Sequence, residues 1–412
     1  MKTNFTPVGQ NERILLLDAL RGLALFGILM VNMPVMFEPI SSLLMGAKPD
    51  MPLQHVIAES FIKFFFEGKF YVIFSFLFGY GFWLFLNKST DNGSGIVPLY
   101  RRRLMFLLLF GLAHIALLWA GDILVFYALF GFILILFRKS SNRKIIGWAI
   151  GIALIPTVLN GLMSLFFGFM SGIPEAREAI EAGVQQRMDT MNQLLANATA
   201  AYTSGGFGEM VSMRFAEYGA LLPGIIFFYP VVLAMFLVGM WAARTRIIAD
   251  YDQHLPFFRK TFWWGLGIGV AGNIIYVLAY RRANMATQDM WAWLYATFHT
   301  IGGIALGAFY VSSVVLLYSK GKAAGFVKIL APVGRMALTN YLMQSLITSV
   351  LFLGWGFGLF GKIEIWQGIL ITVAIFGIQI PLSKWWLGRF RFGPAEWLWR
   401  SLTYWNFQPM RK

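Results

Sequence analysis

The sequence predicts an all-α, polytopic transmembrane helix bundle of about ten spans, with both termini on the cytoplasmic side. Three observations predict it. Hydrophobic residues make up 58% of the 412 residues and charged residues only 13%, against about 25% charged in a soluble domain. Apolar runs of about 20 residues, enough to cross a hydrocarbon core of about 30 Å, recur along the chain. Lys and Arg gather in alternate loops between those runs, as the positive-inside rule requires.

The runs fall at 14–36, 69–87, 103–120, 122–138, 145–170, 219–243, 261–280, 292–318, 337–356 and 365–387. The first contains Asp18 and Arg21. A cleaved signal peptide has a clean apolar core and a small-residue cleavage site, so this run is expected to be a retained helix. The polar stretch 171–213 is expected to be the one sizeable extramembrane segment of a single transmembrane domain, 1–412. Its Pro174 and Glu175 mark a helix start, and the helix should run to about Leu195. Asn197-Ala198-Thr199 matches a glycosylation sequon, a pattern frequent by chance.

Loop charge sets the orientation. The loops expected inside carry Lys88 with Arg101-Arg102-Arg103, then Arg138, Lys139, Arg143 and Lys144. Next come Arg244, Arg246, Arg259 and Lys260, then Lys320, Lys322 and Lys328, and finally Arg389, Arg391, Arg400, Arg411 and Lys412. The turn at Gly121 has no base, and 171–213 is acid-rich. Arg281 and Arg282 break the alternation. The net charge of +15 is therefore assigned to topology and lipid headgroup contact rather than to nucleic acid. The 40 Phe and 15 Trp suit lipid-facing surface and interfacial anchoring. With no Cys, disulfides and thiolate metal sites are excluded.

Charged and polar residues inside spans are costly, so each calls for a packing or a functional reason. Asp18 and Arg21, three apart, share a helix face. They either pair to fix a helix contact or form part of a site for an anionic group entering from the cytoplasm. Arg335 and Asn340, in Gly334-Arg335-Met336-Ala337-Leu338-Thr339-Asn340-Tyr341, should lie level with them, and Gln344 and Ser345 follow one turn deeper. Arg335 either snorkels or helps line a cytoplasm-facing pocket.

A second set gathers in the outer half. His114 precedes the Gly121-Asp122 turn, Tyr127 follows it, and His299 lies about seven residues into the eighth span. At about 1.5 Å per residue the three reach a similar depth, with Asp122 at the mouth and Asn32 near. They are either helix-bridging hydrogen-bonding residues or catalytic ones. Glu67 and Lys69 are interfacial anchors or part of an outer vestibule. Two His and one Asp lack the i, i+3 or i, i+4 ligand pairing of a metal site, so no metal is expected. His55 and His254 look incidental. No P-loop, Rossmann glycine pattern or nucleophile elbow is evident.

Five motifs carry a resemblance. They are Asp18-Ala19-Leu20-Arg21-Gly22, Glu67-Gly68-Lys69-Phe70, His114 with Gly121-Asp122-Ile123, Gly334 to Tyr341, and the C-terminal Phe392-Gly393-Pro394-Ala395-Glu396-Trp397-Leu398-Trp399-Arg400. Together they resemble the YeiB-like family of bacterial inner-membrane proteins of unknown function, along nearly the whole chain. Ala395 stands where Leu or Met is more usual. The Asp-x-x-Arg-Gly pattern alone is similar to transmembrane acyltransferases of the heparan-alpha-glucosaminide N-acetyltransferase type. That wider likeness implies an intramembrane acyl-transfer His.

The leading expectation is acyl transfer across the bacterial cytoplasmic (inner) membrane. Acyl-CoA would sit at the cytoplasmic face in a site of Asp18, Arg21, Arg335 and Asn340, its phosphates attracted to Arg21, Arg335 and the basic loops. His114 would be base or acyl carrier, oriented by Asp122, with Tyr127 or His299 on the oxyanion. Asn32, Glu67 and Lys69 would meet the small-molecule acceptor. A transporter of a small solute is the alternative, since two polar levels suit alternating access. A signalling or scaffold protein, contacting partners through 171–213, is a third. Membrane lipids are expected partners, and a homo-oligomer is compatible with the sequence.

Overall fold

The computed structural model describes residues 14–47, 50–87, 95–224, 227 and 229–412. Lys88, the segment before Ile14, and positions 225, 226 and 228 of the expected sixth span lie outside them. The chain is a bundle of α-helices. Among the described residues the β-pairing is one isolated bridge, Phe390 with Arg411. In chain order the helices are α1 (Leu15–Asn32), α2 (Pro34–Phe37), α3 (Leu53–Phe65), α4 (Phe70–Leu86), α5 (Ile96–Leu117) and α6 (Leu124–Leu134). They continue with α7 (Asn142–Met170), α8 (Pro174–Ser204), α9 (Phe207–Leu221), α10 (Pro230–Arg244) and α11 (Leu255–Arg282). The last are α12 (Met290–Ser319), α13 (Ala324–Arg335), α14 (Ala337–Phe352), α15 (Ile365–Arg389) and α16 (Pro394–Tyr404).

Among the described residues, six helical stretches are long and apolar enough to cross a membrane: Leu15–Asn32, Leu53–Leu86, Asn142–Met170, Tyr251–Arg282, Met290–Ser319 and Ile365–Arg389. α7 shows why a bilayer is needed. Its Leu162, Leu165, Phe166 and Phe169 are all exposed on the outside of the bundle, where lipid can cover them.

The helices depart from the expected runs in several places. α3 is a helix where a connection was expected. It stops at Phe66, and Gly68 takes a positive φ of 87° before α4 begins. α5 starts at Ile96, so Arg101-Arg102-Arg103 lie inside a helix rather than before it. α8 continues to Ser204, past the expected end near Leu195. Instead of one span over 219–243, α9 ends at Leu221, a 3-10 turn covers Leu222–Gly224, and α10 covers Pro230–Arg244. Pro223 and Pro230 lack the backbone N–H that a continuous helix needs. Pro230–Arg244 by itself measures about 22 Å. The loop carrying Lys322 and Lys328 contains α13, whose Val327, Leu330 and Val333 are buried.

Small residues set the closest crossings. A Cβ on Gly334 would lie 1.8 Å from the Asp18 carbonyl oxygen, and one on Gly22 would lie 2.5 Å from that of Leu330. α1 and α13 therefore touch backbone to backbone. Gly79 and Gly239 do the same for α4 and α10, and Gly265, Gly269 and Gly272 for α11 against α12. Lipid tails are as apolar as Leu, so close packing of this kind is what holds helices together in a membrane.

The C-terminal motif has a structural role. The Glu396 carboxylate accepts from Leu338 N (2.6 Å), Thr339 N (3.1 Å) and Thr339 Oγ1 (2.6 Å). It thereby caps the N-terminus of α14, satisfying amides that have no partner within the helix. Trp399 Nε1 donates to Arg103 O at 2.8 Å, and the Arg103 guanidinium sits 3.6 Å from the Trp399 ring. α16 thus ties α5 to α14.

Candidate functional site

A cavity of about 420 Å³ opens inside the bundle, within the roughly 300–1,000 Å³ usual for small-molecule sites. Two polar groups face it. One surrounds the Gly121 turn and the other the break at Gly68 between α3 and α4.

At the turn, Asp122 lines the cavity. Its Oδ1 accepts from Val125 N at 2.8 Å, capping α6. Its Oδ2 stands 2.9 Å from His114 Nδ1, although the angle falls short of a hydrogen bond. The other ring nitrogen, His114 Nε2, meets Ser345 Oγ at 2.8 Å. His114, Asp122 and Ser345 are all buried. Asp122 and Ser345 thus flank one imidazole, the order seen in a nucleophilic triad. Here the acid faces the cavity and the serine is sealed behind it, so Ser345 is not placed to attack a ligand in the cavity. Tyr341 lines the cavity and lies 5.0 Å from His114, ring to ring.

At the break, Glu59, Lys63 and Glu67 line the cavity. The first two lie on one face of α3, four residues apart, and Glu67 continues that spacing past its end. Lys63 Nζ donates to Glu67 Oε2 at 2.9 Å. Glu59 accepts from Tyr280 (2.8 Å) and pairs with Arg281 (2.6 Å). That pairing explains why Arg281 breaks the loop-charge alternation: it answers a half-buried acid at the cavity wall. Arg282 instead lies over the Trp291 ring, at 4.8 Å. Lys69 Nζ donates to the carbonyls of Lys63 (2.7 Å) and Glu67 (2.5 Å). A cation at the C-terminal end of α3 thus satisfies carbonyls that the break leaves without amides.

His299 lines the cavity beside Gly68. Its ring stacks on Tyr71 at 6.1 Å and packs against Tyr276 at 5.4 Å. Asn32 also lines the cavity.

The expected residues therefore divide. Asp122, His299, Asn32 and Glu67 reach one cavity, and His114 stands directly behind Asp122. Tyr127 does not reach it. Its hydroxyl bonds Ser75 Oγ at 2.7 Å, and its ring packs against Phe78 and Phe236. Lys69 turns under the break rather than into the cavity. His55, expected to be incidental, lines the cavity and lies 3.7 Å from Glu364.

The other set stays apart. Arg21 Nη1 bonds Asp18 Oδ1 at 2.6 Å. Arg335 ends α13, next to the Gly334 crossing with Asp18, and its Nε and Nη2 find no hydrogen-bond partner in the protein. Asn340 is fully buried and donates to Val333 O and Ser383 Oγ, both at 3.0 Å. Its side chain joins α13 to α15. Ser345, expected with this set, instead joins His114.

Sequence reasoning missed Glu59, Lys63 and the tyrosines 71, 280, 295 and 341 as cavity residues. The i, i+4 spacing of Glu59, Lys63 and Glu67 was a signal that could have found the first two.

Beside the cavity, α9 presents buried Glu217, which accepts from Ser41 N, Ser41 Oγ and Tyr202 OH. Burial, then the nearby Glu217 carboxylate, pushes the Tyr202 phenol well above its ordinary value. Among the described residues, no group of three or more His, Asp or Glu is placed to hold a metal ion.

The model of the family described as "Protein of unknown function (DUF418)" matches residues 242–406, the stretch holding His299, Ser345 and the Glu396 cap. "Uncharacterized protein YxaH" of Bacillus subtilis (strain 168) is 35% identical, covering all of this chain and 99% of that one. The chain belongs to the YeiB-like family. "Uncharacterized 39.9 kDa protein in amylase 3'region" of Bacillus acidopullulyticus is 30% identical over 97% of the chain. "Uncharacterized protein YeiB" of Escherichia coli (strain K12) is 28% identical over 95% of it. The YxaH match spans the whole of this YeiB-like chain, its α1, Gly121 and α14 motifs and its C-terminus included. No solved structure matches it.

Proposed function

We propose that the protein is an acyltransferase of the bacterial cytoplasmic membrane, acting on an acceptor held in the 420 Å³ cavity. The observation that carries this is the buried Asp122–His114–Ser345 chain, whose acid end faces a ligand-sized space. The acceptor oxygen or nitrogen forms the new bond to the acyl carbon as the thioester C–S bond breaks. The Asp122–His114 pair takes the proton leaving the acceptor and returns it to the departing thiolate. His299 donates to the developing oxyanion.

The donor is an acyl-CoA bound at the opposite end, its phosphates attracted by Arg335 and Arg21. Tyr341 lies one turn into α14, roughly 6 Å along the axis from Ala337, so α14 itself runs from beside Arg335 to the cavity wall. Ten spans with both ends inside fit this arrangement: α1, α4, α5, α6, α7, α10, α11, α12, α14 and α15 alternate, and the basic loops fall at the Arg335 end.

The test is transfer of label from acetyl-CoA by purified protein in liposomes, comparing wild type with His114→Ala and Asp122→Asn. Loss in both variants is expected. Absence of transfer by the wild type, or unchanged transfer by both variants, overturns the proposal.

A further inference from the structure

The two polar groups on the cavity wall differ in charge balance. At the break the charges cancel, because Lys63 pairs with Glu67 and Arg281 with Glu59. At the turn, Asp122 is 2% exposed, and among the described residues its partner is His114 rather than a Lys or an Arg. A neutral imidazole satisfies both of its contacts, with Nδ1–H toward Asp122 and Nε2 accepting from the Ser345 hydroxyl. Asp122 is then a buried carboxylate without a counter-charge, a costly arrangement unless a bound group supplies one.

The surroundings of Asp122 suit a cation. Phe126 follows it by one turn, and the Phe126 ring stands 4.2 Å from that of Tyr229 and 6.0 Å from that of Tyr218. The Trp119 ring lies against Gly121. These four aromatic residues line the cavity, and aromatic faces attract ammonium groups. Tyr218, Tyr229 and Tyr341 are close enough to feel the Asp122 charge. The hydroxyls of Tyr218 and Tyr341 are buried without a well-formed hydrogen bond in the protein. Both residues line the cavity, and Tyr341 is only 6% exposed. A phenol oxygen can accept from an ammonium hydrogen. The turn thus offers one carboxylate, two idle phenol oxygens and several ring faces to a group with three donors and a positive charge.

We infer that the cavity binds a primary amine in its protonated form, the ammonium seated at Asp122 among the aromatic rings and donating to the carboxylate and to the Tyr218 and Tyr341 hydroxyls. This rests on the acyl-transfer proposal only in making that amine the acceptor. In the transfer, the Asp122–His114 pair takes one ammonium proton, which frees the nitrogen lone pair. The C–N bond forms, the thioester C–S bond breaks, and the pair gives its proton to the departing thiolate. A second nitrogen proton passes to the pair and leaves to water, and the third stays on the amide. The product amide carries no charge, so it no longer neutralises Asp122 and is released.

The test is equilibrium dialysis of radiolabelled benzylamine against full-length protein in nanodiscs, with benzyl alcohol as the uncharged probe of the same shape. The wild type should bind the amine at least about tenfold more tightly than the alcohol. Asp122→Asn keeps an oxygen to accept from Val125 N, so the α6 cap survives, and it should abolish that preference. Phe126→Leu, which removes a ring and keeps an apolar side chain, should weaken amine binding severalfold and leave alcohol binding unchanged. Absence of amine binding, equal binding of the two probes by the wild type, or amine binding unchanged in Asp122→Asn overturns the inference. The two proposals fail separately. Asp122-dependent amine binding without any acyl transfer keeps the ammonium site and removes the chemistry. Transfer to benzyl alcohol as fast as to benzylamine, with no preference in binding, keeps the chemistry and removes the ammonium site.

Discussion

His114 Nε2 and Ser345 Oγ meet at 2.8 Å across 231 positions of chain. The bond joins α5 to α14 in the middle of the bundle, where no water can replace a lost partner. Ser345→Ala leaves a buried ring nitrogen unsatisfied, at a cost of about 1–3 kcal/mol. Thermal unfolding in detergent should show a lower midpoint for Ser345→Ala, with Ser345→Thr closer to wild type. Equal midpoints for all three would mean that the bond does not hold α5 to α14.

Tyr127 and His299 separate two roles that depth alone cannot. Tyr127→Phe removes the hydroxyl bonded to Ser75 and should lower stability by about 0.5–1.5 kcal/mol while leaving acyl transfer unchanged. His299→Ala removes a cavity-lining group and should cut transfer by at least about tenfold. Steady-state transfer rates on both variants check this. A large loss for Tyr127→Phe would put that hydroxyl back at the reacting centre.

Glu396 caps α14 from 57–58 positions away. Burial pushes its carboxyl above the ordinary value, opposed by the Thr339 and Leu338 donors. A native value above the unfolded one means that the native state holds the proton more tightly. This contribution to stability is therefore fullest below the unfolded value and declines as pH rises through it toward the raised one. Unfolding midpoints measured against pH should show that slope in the wild type and not in Glu396→Gln. Glu396→Ala should be less stable than either, because the amides of Leu338 and Thr339 lose their acceptor.

Gly334 touches the Asp18 carbonyl where α1 crosses α13. Gly334→Ala must push two backbones apart and should cost about 1–3 kcal/mol or more. The yield of monodisperse protein and its unfolding midpoint should both fall. Gly377→Ala, where a Cβ meets open space, should leave both unchanged. Similar behaviour of the two variants would show that the crossing is not as close as described.

Arg281 neutralises Glu59 at the cavity wall. Arg281→Ala removes that acid's 2.6 Å ion pair and should destabilise the protein, whereas Arg281→Ala/Glu59→Gln should recover part of the loss. A double variant no better than the single one would show that the two side chains are not coupled. Acyl-transfer rates are not needed to read this cycle.

The sequence by itself determined whatever depends on composition and on neighbours in the chain. The apolar runs marked the bundle, the i, i+3 spacing of Asp18 and Arg21 anticipated their 2.6 Å bond, and the charged loops suggested an orientation. Depth was also legible, because a helix advances about 1.5 Å per residue. Direction was not. Each residue turns the side chain by about 100°, and which way a helix faces is decided by packing with segments far away in sequence. Tyr127 and His299 were expected at one depth, yet one turns into the α4–α10 packing and the other into the cavity. Ser345 looked like a neighbour of Asn340 and proved to be the partner of His114.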